Sequence, residues 1–325
     1  MGGPRRERKI VHGRGAGGEK KSSGRALSRR DFLRLGGAGL AGAALLGTAG
    51  CGGTASSSGG KTLTVGNIGW DENVAVSNLT KVLLEEDLGY EEVKLQTLDV
   101  GVLFQSVANG DLDMFQDVWT PLHDDYLKEL GDELEHLPPW YKGEAKVGLG
   151  VPSYMGVGNI AQLNGTGAQQ IIGIEPGSEV MRQIKEEVIP RYGLEQELIE
   201  SSTAGMLAQV ERSYKARDPF VFVAWTPHWM NEKYRITYLE DPEGALGPAA
   251  EPAELSSVLR KGLADDDPAA HAFMKELALD EGQLNGLEAA INEVGADKPA
   301  EGVKAWLEDN RNVVQPWVDA AEAAA

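Results

Sequence analysis

The sequence predicts an α/β protein of two lobes, each a largely parallel sheet flanked by helices. Segments with the period-two alternation of strands take turns with segments whose apolar residues recur at helical spacing, which is the pattern of parallel sheets with crossover helices. This alternation occurs in two separate stretches, 62–119 and 159–229, of a 325-residue chain. A chain of this length more often forms two lobes than one.

The first stretch supplies the elements of the first lobe in order. Residues 62–68 alternate as a strand, 73–86 are helical, 93–98 are again strand-like and 100–108 are helical. A third strand, DLDMFQDVW, is expected at 111–119. Because ligands of such sheets bind beyond the carboxyl ends of strands, the ends of these strands are where a binding site is expected.

The second stretch repeats this order. Strands are expected at 170–177 and 219–224, and helices at 180–192 and 206–216 between them. The apolar segment 145–152 and the segment after Met230 are expected to cross between the lobes. Residues 254–323 are predicted to be mostly helical, because stretches such as DDDPAAHAFMKELAL combine an N-cap, a proline in the first turn and apolar spacing.

The N-terminus predicts export. Arg29 and Arg30 lie in SRRDFL, and a Gly- and Ala-rich apolar run follows at 35–50, an order that resembles a twin-arginine signal. The run ends in TAGC, which is similar to a bacterial lipobox although leucine is usual where Thr48 stands. Cys51 is the only cysteine in the chain, so it is expected to be a lipid attachment point and not a nucleophile. The protein is thus expected on the outer face of the cytoplasmic membrane.

The expected domain organisation follows from these features. Residues 1–50 are expected to be the lipoprotein signal and 51–60 a flexible Ser- and Gly-rich tether. Residues 61–155 are expected to form the first part of lobe I, and 156–230 to form lobe II. Residues 231–325 are expected to complete lobe I and to supply the C-terminal helices.

The charge of the chain excludes one class of partner. The formal net charge is −19, and residues 1–50 hold 11 of the 31 Lys and Arg residues and 3 of the 50 Asp and Glu residues, so the rest of the chain carries about −27. A surface this acidic has no basic stripe for nucleic acid. It biases encounters toward cations, and a general adaptation of the organism's proteins to salt is the alternative explanation of the same charge.

Aromatic side chains occur where several predicted strands end. Trp70 comes closely after the first strand, Trp119 ends the third, and Trp225 and His228 follow the buried strand FVFVA. Taken singly, each tryptophan is more often a core residue. Their shared position at strand ends favours the wall of a pocket.

Four motifs in order resemble the glycine betaine and proline betaine substrate-binding proteins of ABC transporters. They are IGWDENVAVSNLTKVLLEEDLGY, GDLDMFQDVW, IIGIEPGSEVM and VAWTPHWM. The resemblance covers about residues 62–315. It implies a periplasmic-binding-protein fold of the Venus-flytrap type and a protein that delivers a quaternary ammonium solute to a membrane permease driven by a separate ATPase.

The resemblance also implies roles for individual residues. Trp70, Trp119 and Trp225 would form a cage around the ammonium group, whose charge suits aromatic faces because a trimethylammonium has no N–H to donate. His228 would donate a hydrogen bond to the ligand carboxylate. Backbone N–H groups at a helix N-terminus, which attracts anions, would assist it at Ser178, Glu179 and Val180.

One departure from the family concerns Glu179. Related proteins commonly have Pro-Gly-Ala-Gly in this turn, where this chain has PGSE. A carboxylate beside a carboxylate-binding turn would repel a betaine, so the side chain is expected to point away. An inward side chain would instead favour a ligand without a carboxylate, such as choline. Carnitine and proline betaine also stay open as ligands.

Other residues near the motifs have supporting roles. Trp229 is expected to pack and to hold the cage ring, and Asp71 and Glu72 to favour the helix dipole. Asp71 can also lend the cage a negative field without direct contact. His123 is either close to the cleft or a solvated residue at a helix start. The remaining tryptophans are expected to pack in the interior: Trp140, Trp306 and Trp317.

Two other functional classes stay open. The chain after residue 60 has no nucleophile elbow, Walker A motif or metal-ligand spacing, so no cofactor or metal is expected. An exported hydrolase that combines His228 with Ser201 or Ser202 is therefore not favoured. A structural or adhesive lipoprotein would bind no small molecule.

Overall fold

The computed structural model describes residues 60–325. The predicted signal, the tether up to residue 59 and Cys51 lie outside the described residues. Within residues 60–325, no helix is both long enough and apolar enough to span a membrane.

Residues 60–325 contain ten strands. In chain order, β1 to β10 are Thr62–Asn67, Glu92–Thr97, Met114–Thr120, Leu134–His136, Lys146–Pro152, Gln170–Ile172, Glu197–Ile199, Val221–Thr226, Ile236–Tyr238 and Glu254–Arg260. They form two five-stranded sheets, in the orders β2-β1-β3-β10-β4 and β7-β6-β8-β5-β9. The first sheet is the centre of lobe I and the second is the centre of lobe II, which confirms the predicted two-lobed α/β fold.

Helices cover both sheets. In chain order, α1 to α11 are Asp71–Glu86, Val100–Asn109, Asp124–Leu130, Glu179–Gln183, Ile189–Tyr192, Thr203–Ala216, Met230–Lys233, Leu263–Asp266, Pro268–Glu276, Glu281–Val294 and Pro299–Ala324. A π-helical turn joins α4 to α5, so the helix predicted over 180–192 is one continuous run. Helices α4 to α7 belong to lobe II and the others to lobe I.

Local chemistry sets several helix ends. Asp280 and Gln283 form a capping box at the start of α10, and the Ser202 hydroxyl caps α6 by accepting from Gly205 N. Helix α2 ends at Gly110, whose φ of 78° is a left-handed conformation that favours glycine. These caps satisfy backbone groups that helix ends otherwise leave without partners.

Each sheet is mixed, whereas the sequence predicted largely parallel sheets. Strands β1, β2 and β3 run parallel, but β10 is antiparallel to β3 and β4. In lobe II, β6, β7 and β8 run parallel, and β5 is antiparallel to β8 and β9. The reason is that β5 and β10 enter from the other lobe. Each begins beside the end of the strand it joins, as the pairs Lys146 with Thr226 and Glu254 with Thr120 show.

The crossings between the lobes also differ from the prediction. Residues 146–152 form β5 inside the second sheet, and β9 follows Met230 in that sheet, so the chain crosses at about 137–145 and 239–253. Residues 254–260 form β10 and not a helix. The pattern was ambiguous because a short apolar run fits a buried strand, a connection or a helix about equally well.

The central strands of the two lobes end alike. Strand β3 is third in its sheet and β8 is third in the other. Each ends in Trp-Thr, and a proline follows directly, at 119–121 and 225–227. Both Thr–Pro peptide bonds are cis. The two lobes therefore present a tryptophan at the same topological position, where β3 and β8 face the cleft.

Candidate functional site

A pocket lies between the lobes, where β3 and β8 end. Its empty space, part of which is open to solvent, is about 310 Å³. Much of its wall is tryptophan, from Trp70, Trp119 and Trp225. The other lining residues come from both lobes and are Glu72, Leu122, Val147, Ile174, Ser178 and Val180. The structure thus brings together the three tryptophans that the sequence placed at strand ends.

Two of the indole N–H groups donate across the cleft. Trp70 Nε1 in lobe I donates to Glu175 Oε2 in lobe II at 3.2 Å. Trp225 Nε1 in lobe II donates to Glu72 Oε2 in lobe I at 2.9 Å. Glu175 is itself held by the backbone N and the hydroxyl of Thr203, at 2.8 and 2.9 Å. Because the acidic side chains bind the indole N–H at the edge of each ring, the ring faces stay available to the pocket, and these faces attract cations.

Glu72 and Asp117 form a buried acid pair beneath the tryptophans. Burial, and then the charges of Asp117 and Glu288, raise the pKa of Glu72 well above its ordinary value. Burial raises the pKa of Asp117 to about 7, although hydrogen bonds from Trp119 and Glu72 lower it in part. Glu72 therefore holds a proton that it donates to Asp117. The Asp117 Oδ1 atom accepts from Trp119 Nε1 at 2.9 Å.

This acid pair was missed by the sequence analysis. The sequence indicates only a helix-start charge at Glu72 and no role for Asp117. A carboxyl group on the strand two residues before Trp119, on the same face, was the signal that could have identified Asp117.

The acid pair predicts that the stability of the protein depends on pH. The pKa of Asp117 rises from 3.8 to about 7 on folding, so the folded state keeps a proton that the unfolded state loses. The stabilisation is complete below about pH 4 and is lost as the pH rises to about 7. Asp117→Asn keeps an acceptor for Trp119 and removes this titration. As the pH rises from 4 to 7, the free energy of unfolding of the wild type should fall relative to that of D117N, by at most about 4 kcal/mol. Urea unfolding curves of both proteins at several pH values measure this difference. Parallel pH profiles of the two proteins would contradict this account.

His228 does not line the pocket, contrary to the role implied by the family resemblance. Its Nδ1 accepts from Met230 N at 3.0 Å, and its Nε2 lies 3.3 Å from Asp71 Oδ2. The ring packs edge-on against Trp225, with centroids 4.6 Å apart. Since both ring nitrogens face protein groups, His228 packs against the pocket residue Trp225 and does not point into the pocket.

The turn before α4 provides fewer free donors than expected. Both the backbone N–H and the hydroxyl of Ser178 donate to the Glu175 carbonyl oxygen, at 3.1 and 2.9 Å, so Ser178 contributes only shape to the pocket. Glu179 and Val180 open the helix, where N–H groups lack carbonyl partners within the helix. Val180 lines the pocket.

The Glu179 carboxylate faces away from the pocket. Arg182 Nε donates to its Oε2 at 3.0 Å, and Gln183 Nε2 donates to its Oε1 at 3.2 Å. The second guanidinium nitrogen of Arg182 also donates to Glu179. Because the Glu179 carboxylate is paired on the outer side of the helix, it does not place a negative charge inside the pocket.

His123 is a buried neighbour of the cage and not a solvated residue at a helix start. Its ring stacks against Trp70 with centroids 6.2 Å apart, and its Nδ1 accepts from Trp119 N at 3.1 Å. Burial lowers its pKa to about 3, so the ring is neutral. It therefore contacts Trp70 and Trp119, the two pocket tryptophans of lobe I, without adding charge.

Asp71 and Trp229 meet outside the pocket. Trp229 Nε1 donates to Asp71 Oδ1 at 2.7 Å. Burial acts to raise the pKa of Asp71, but the hydrogen bond and charge of His228 and the hydrogen bond from Trp229 lower it overall. Among residues 60–325 there is no cluster of three or more His, Cys, Asp and Glu side chains that could hold a metal ion. The remaining tryptophans are buried away from the pocket, as predicted: Trp140, Trp306 and Trp317.

Known proteins resemble this chain over most of its described length. Residues 61–309 match the family OpuAC, the substrate binding domain of the ABC-type glycine betaine transport system. The glycine betaine/carnitine transport binding protein GbuC of Listeria monocytogenes is 31% identical over 155 residues, which are 47% of this chain and 50% of that protein. The match thus spans half the length of that relative.

Two solved structures have the same fold. Lactococcal OpuAC, in its closed-liganded conformation with glycine betaine, is similar with a TM-score of 0.70 and 30% identity, over 79% of this chain and 99% of that chain. An ABC-transporter choline binding protein in complex with choline is similar with a TM-score of 0.70 and 27% identity, over 81% and 97% of the two chains. With the family match over residues 61–309, the chain belongs to the family of substrate-binding domains of ABC-type glycine betaine transport systems.

Proposed function

We propose that this protein captures glycine betaine, or a related quaternary ammonium solute, between its lobes and delivers it to an ABC permease driven by a separate ATPase. The observation that carries the proposal is the pocket between the lobes with three tryptophan side chains, Trp70, Trp119 and Trp225, each of which donates its indole N–H to the carboxyl group of an acidic residue. The protein carries out no chemistry on the ligand.

The tryptophan faces suit the ammonium end of the ligand. A trimethylammonium group has a diffuse positive charge and no N–H to donate, so flat aromatic faces attract it without hydrogen bonds, at about 0.5–2 kcal/mol per ring. Asp117, which accepts from the indole N–H of Trp119, adds negative potential behind this ring in its ionised form.

The start of α4 suits the carboxylate end. The N–H groups of Glu179 and Val180 lie at the positive end of a helical run, and such groups bind anions. Charge-assisted hydrogen bonds contribute about 1.5–3 kcal/mol each. Three rings and two such bonds together give about 5–12 kcal/mol before the costs of ordering and closure. A micromolar Kd, which corresponds to roughly 8 kcal/mol, is therefore expected.

Choline is the second candidate ligand. The observation that favours it is Glu72, whose carboxyl group lines the pocket. A bound cation that has no carboxylate of its own would favour the ionised form of Glu72 and be attracted to it. The absence of free side-chain donors from Ser178 and His228 also weakens the case for a carboxylate ligand. The relatives that bind carnitine or choline by name keep both ligands within the proposal.

The N-terminal segment supports a location outside the cytoplasm. The twin-arginine pattern and the lipobox-like sequence before Cys51 are the features that support export and lipid attachment. In this proposal the protein is held by the lipid on the outer face of the cytoplasmic membrane and closes on a solute there.

The direct test is calorimetric titration of the purified protein with glycine betaine, choline and proline in parallel. We expect saturable, micromolar binding of glycine betaine with a change in tryptophan fluorescence, weaker binding of choline and none of proline. Choline binding tighter than betaine binding would move the function to the second candidate. No binding of either quaternary ammonium compound would overturn the proposal.

A further inference from the structure

A second set of contacts joins the lobes outside the pocket. Trp229 lies directly after β8 in lobe II, and its indole N–H donates to Asp71 Oδ1 in lobe I at 2.7 Å. Its backbone N–H donates to Glu288 Oε2, also in lobe I, at 2.8 Å. None of these three residues lines the pocket. The contacts therefore hold the lobes together and do not touch the ligand space.

The lobe I partners come from two different helices. Asp71 is the first residue of α1 and Glu288 lies in α10. Two helices of lobe I therefore contact the segment of lobe II that contains His228 and Trp229. Glu288 is only 2% exposed, and burial and then the charge of Asp71 raise its pKa well above the ordinary value. Glu288 thus serves as a neutral acceptor, while Asp71 is the charged member.

The segment that contains His228 and Trp229 also contacts the pocket residue Trp225. Its His228 ring lies 3.3 Å from Asp71 through Nε2 and packs edge-on against Trp225. On the outer side, Lys233 Nζ lies 5.0 Å from the centre of the Trp229 ring. Fixing Trp229 on lobe I therefore also fixes Trp225 over the pocket.

We infer that Asp71, Glu288 and Trp229 form a closure latch, a set of positioning residues that hold the lobes shut and set how long the ligand stays bound. The inference rests on the proposed function. Since the partners lie on opposite lobes, the latch exists only when the lobes are closed. It should therefore slow ligand release without changing encounter or the stability of each lobe.

The test uses stopped-flow tryptophan fluorescence with glycine betaine and, separately, choline. Trp229→Phe keeps the ring and loses the indole N–H. Glu288→Leu loses the acceptor, while Glu288→Gln keeps it. We expect koff to rise roughly ten-fold in W229F and E288L, kon to stay within about two-fold, and E288Q to resemble the wild type. Glu293→Leu, an exposed position on the same helix, is the matched control.

Melting temperature distinguishes a latch from ordinary packing. A latch adds to the stabilisation that ligand binding causes, so W229F and E288L should show a smaller ligand-induced increase in melting temperature than the wild type. An unchanged koff together with a lower ligand-free melting temperature in W229F and E288L would overturn the inference.

Failure of the proposed function is recognised separately. If the wild type responds to neither ligand, the latch is measured by small-angle X-ray scattering of the ligand-free proteins. A larger radius of gyration in W229F than in the wild type supports the latch, and an equal radius in both proteins contradicts it.

Discussion

Replacing Trp119 by alanine is expected to raise the Kd for glycine betaine by roughly 30-fold or more. The change removes one of three ring faces and opens the desolvated wall where β3 ends, and buried tryptophans of this kind contribute about 2–4 kcal/mol to binding. Trp119 is 3% exposed, but it faces the cleft between the lobes. Its loss should therefore cost the ligand-free fold much less than the loss of an interior tryptophan. Calorimetric titration and urea unfolding of Trp119→Ala measure the two effects.

Trp140→Ala is the matched control for this prediction. Trp140 is 2% exposed and its Nε1 donates to the Gln116 carbonyl oxygen at 2.8 Å, inside lobe I. Its truncation should cost about 3–5 kcal/mol of stability and leave the affinity of the folded molecules unchanged. If W119A lost as much stability as W140A and kept its affinity, Trp119 would be a core residue and the cage would be wrong.

Glu72→Gln is expected to weaken choline binding at least about ten-fold while glycine betaine binding changes by less than about three-fold. Glutamine keeps an acceptor for Trp225 Nε1 and a donor toward Asp117, so the shape of the site is preserved. Burial keeps the pKa of Glu72 high in the free protein, but a bound cation favours the ionised form. Glycine betaine brings its own carboxylate and depends less on this charge.

Proton release provides a second measure of the same effect. Choline binding to the wild type near pH 7 should release protons, which calorimetry detects in buffers of different ionisation enthalpy, and E72Q should release fewer. Glu86 is the last residue of α1, the helix that carries Glu72, and its exposed charge is paired with Lys304 of α11. Glu86→Gln should change neither ligand's affinity appreciably. Equal losses for both ligands in E72Q would show that Glu72 acts through packing alone.

Several parts of the site could be predicted from the sequence. Trp70, Trp119 and Trp225 were grouped because each stands where a strand ends, and ligands of α/β sheets bind at those ends. They line one pocket in the structure. The outward position of Glu179 was also foreseen, because a carboxylate would repel a betaine at a helix start.

Other parts of the site could not be predicted from local patterns. His228 was assigned to the ligand from a family motif, but its two ring nitrogens face Met230 and Asp71. Ser178 donates both its backbone N–H and its hydroxyl group to the Glu175 carbonyl oxygen. The alternation of β3 places Asp117 on the same face as Trp119, but nothing local to the chain pairs Asp117 with Glu72, because the two residues lie on different elements.

The sequence by itself determined the alternation of strands and helices, the division into two lobes and the aromatic residues that follow the strands, because these depend on neighbours in the chain. Only the tertiary structure decided the direction of β5 and β10, the partners of the polar atoms and the raised pKa values of the acid pair. These properties depend on distances between groups far apart in sequence, such as Trp225 and Glu72, which are 153 residues apart and 2.9 Å from atom to atom. Burial and charge act through space, and no window along the chain contains that information.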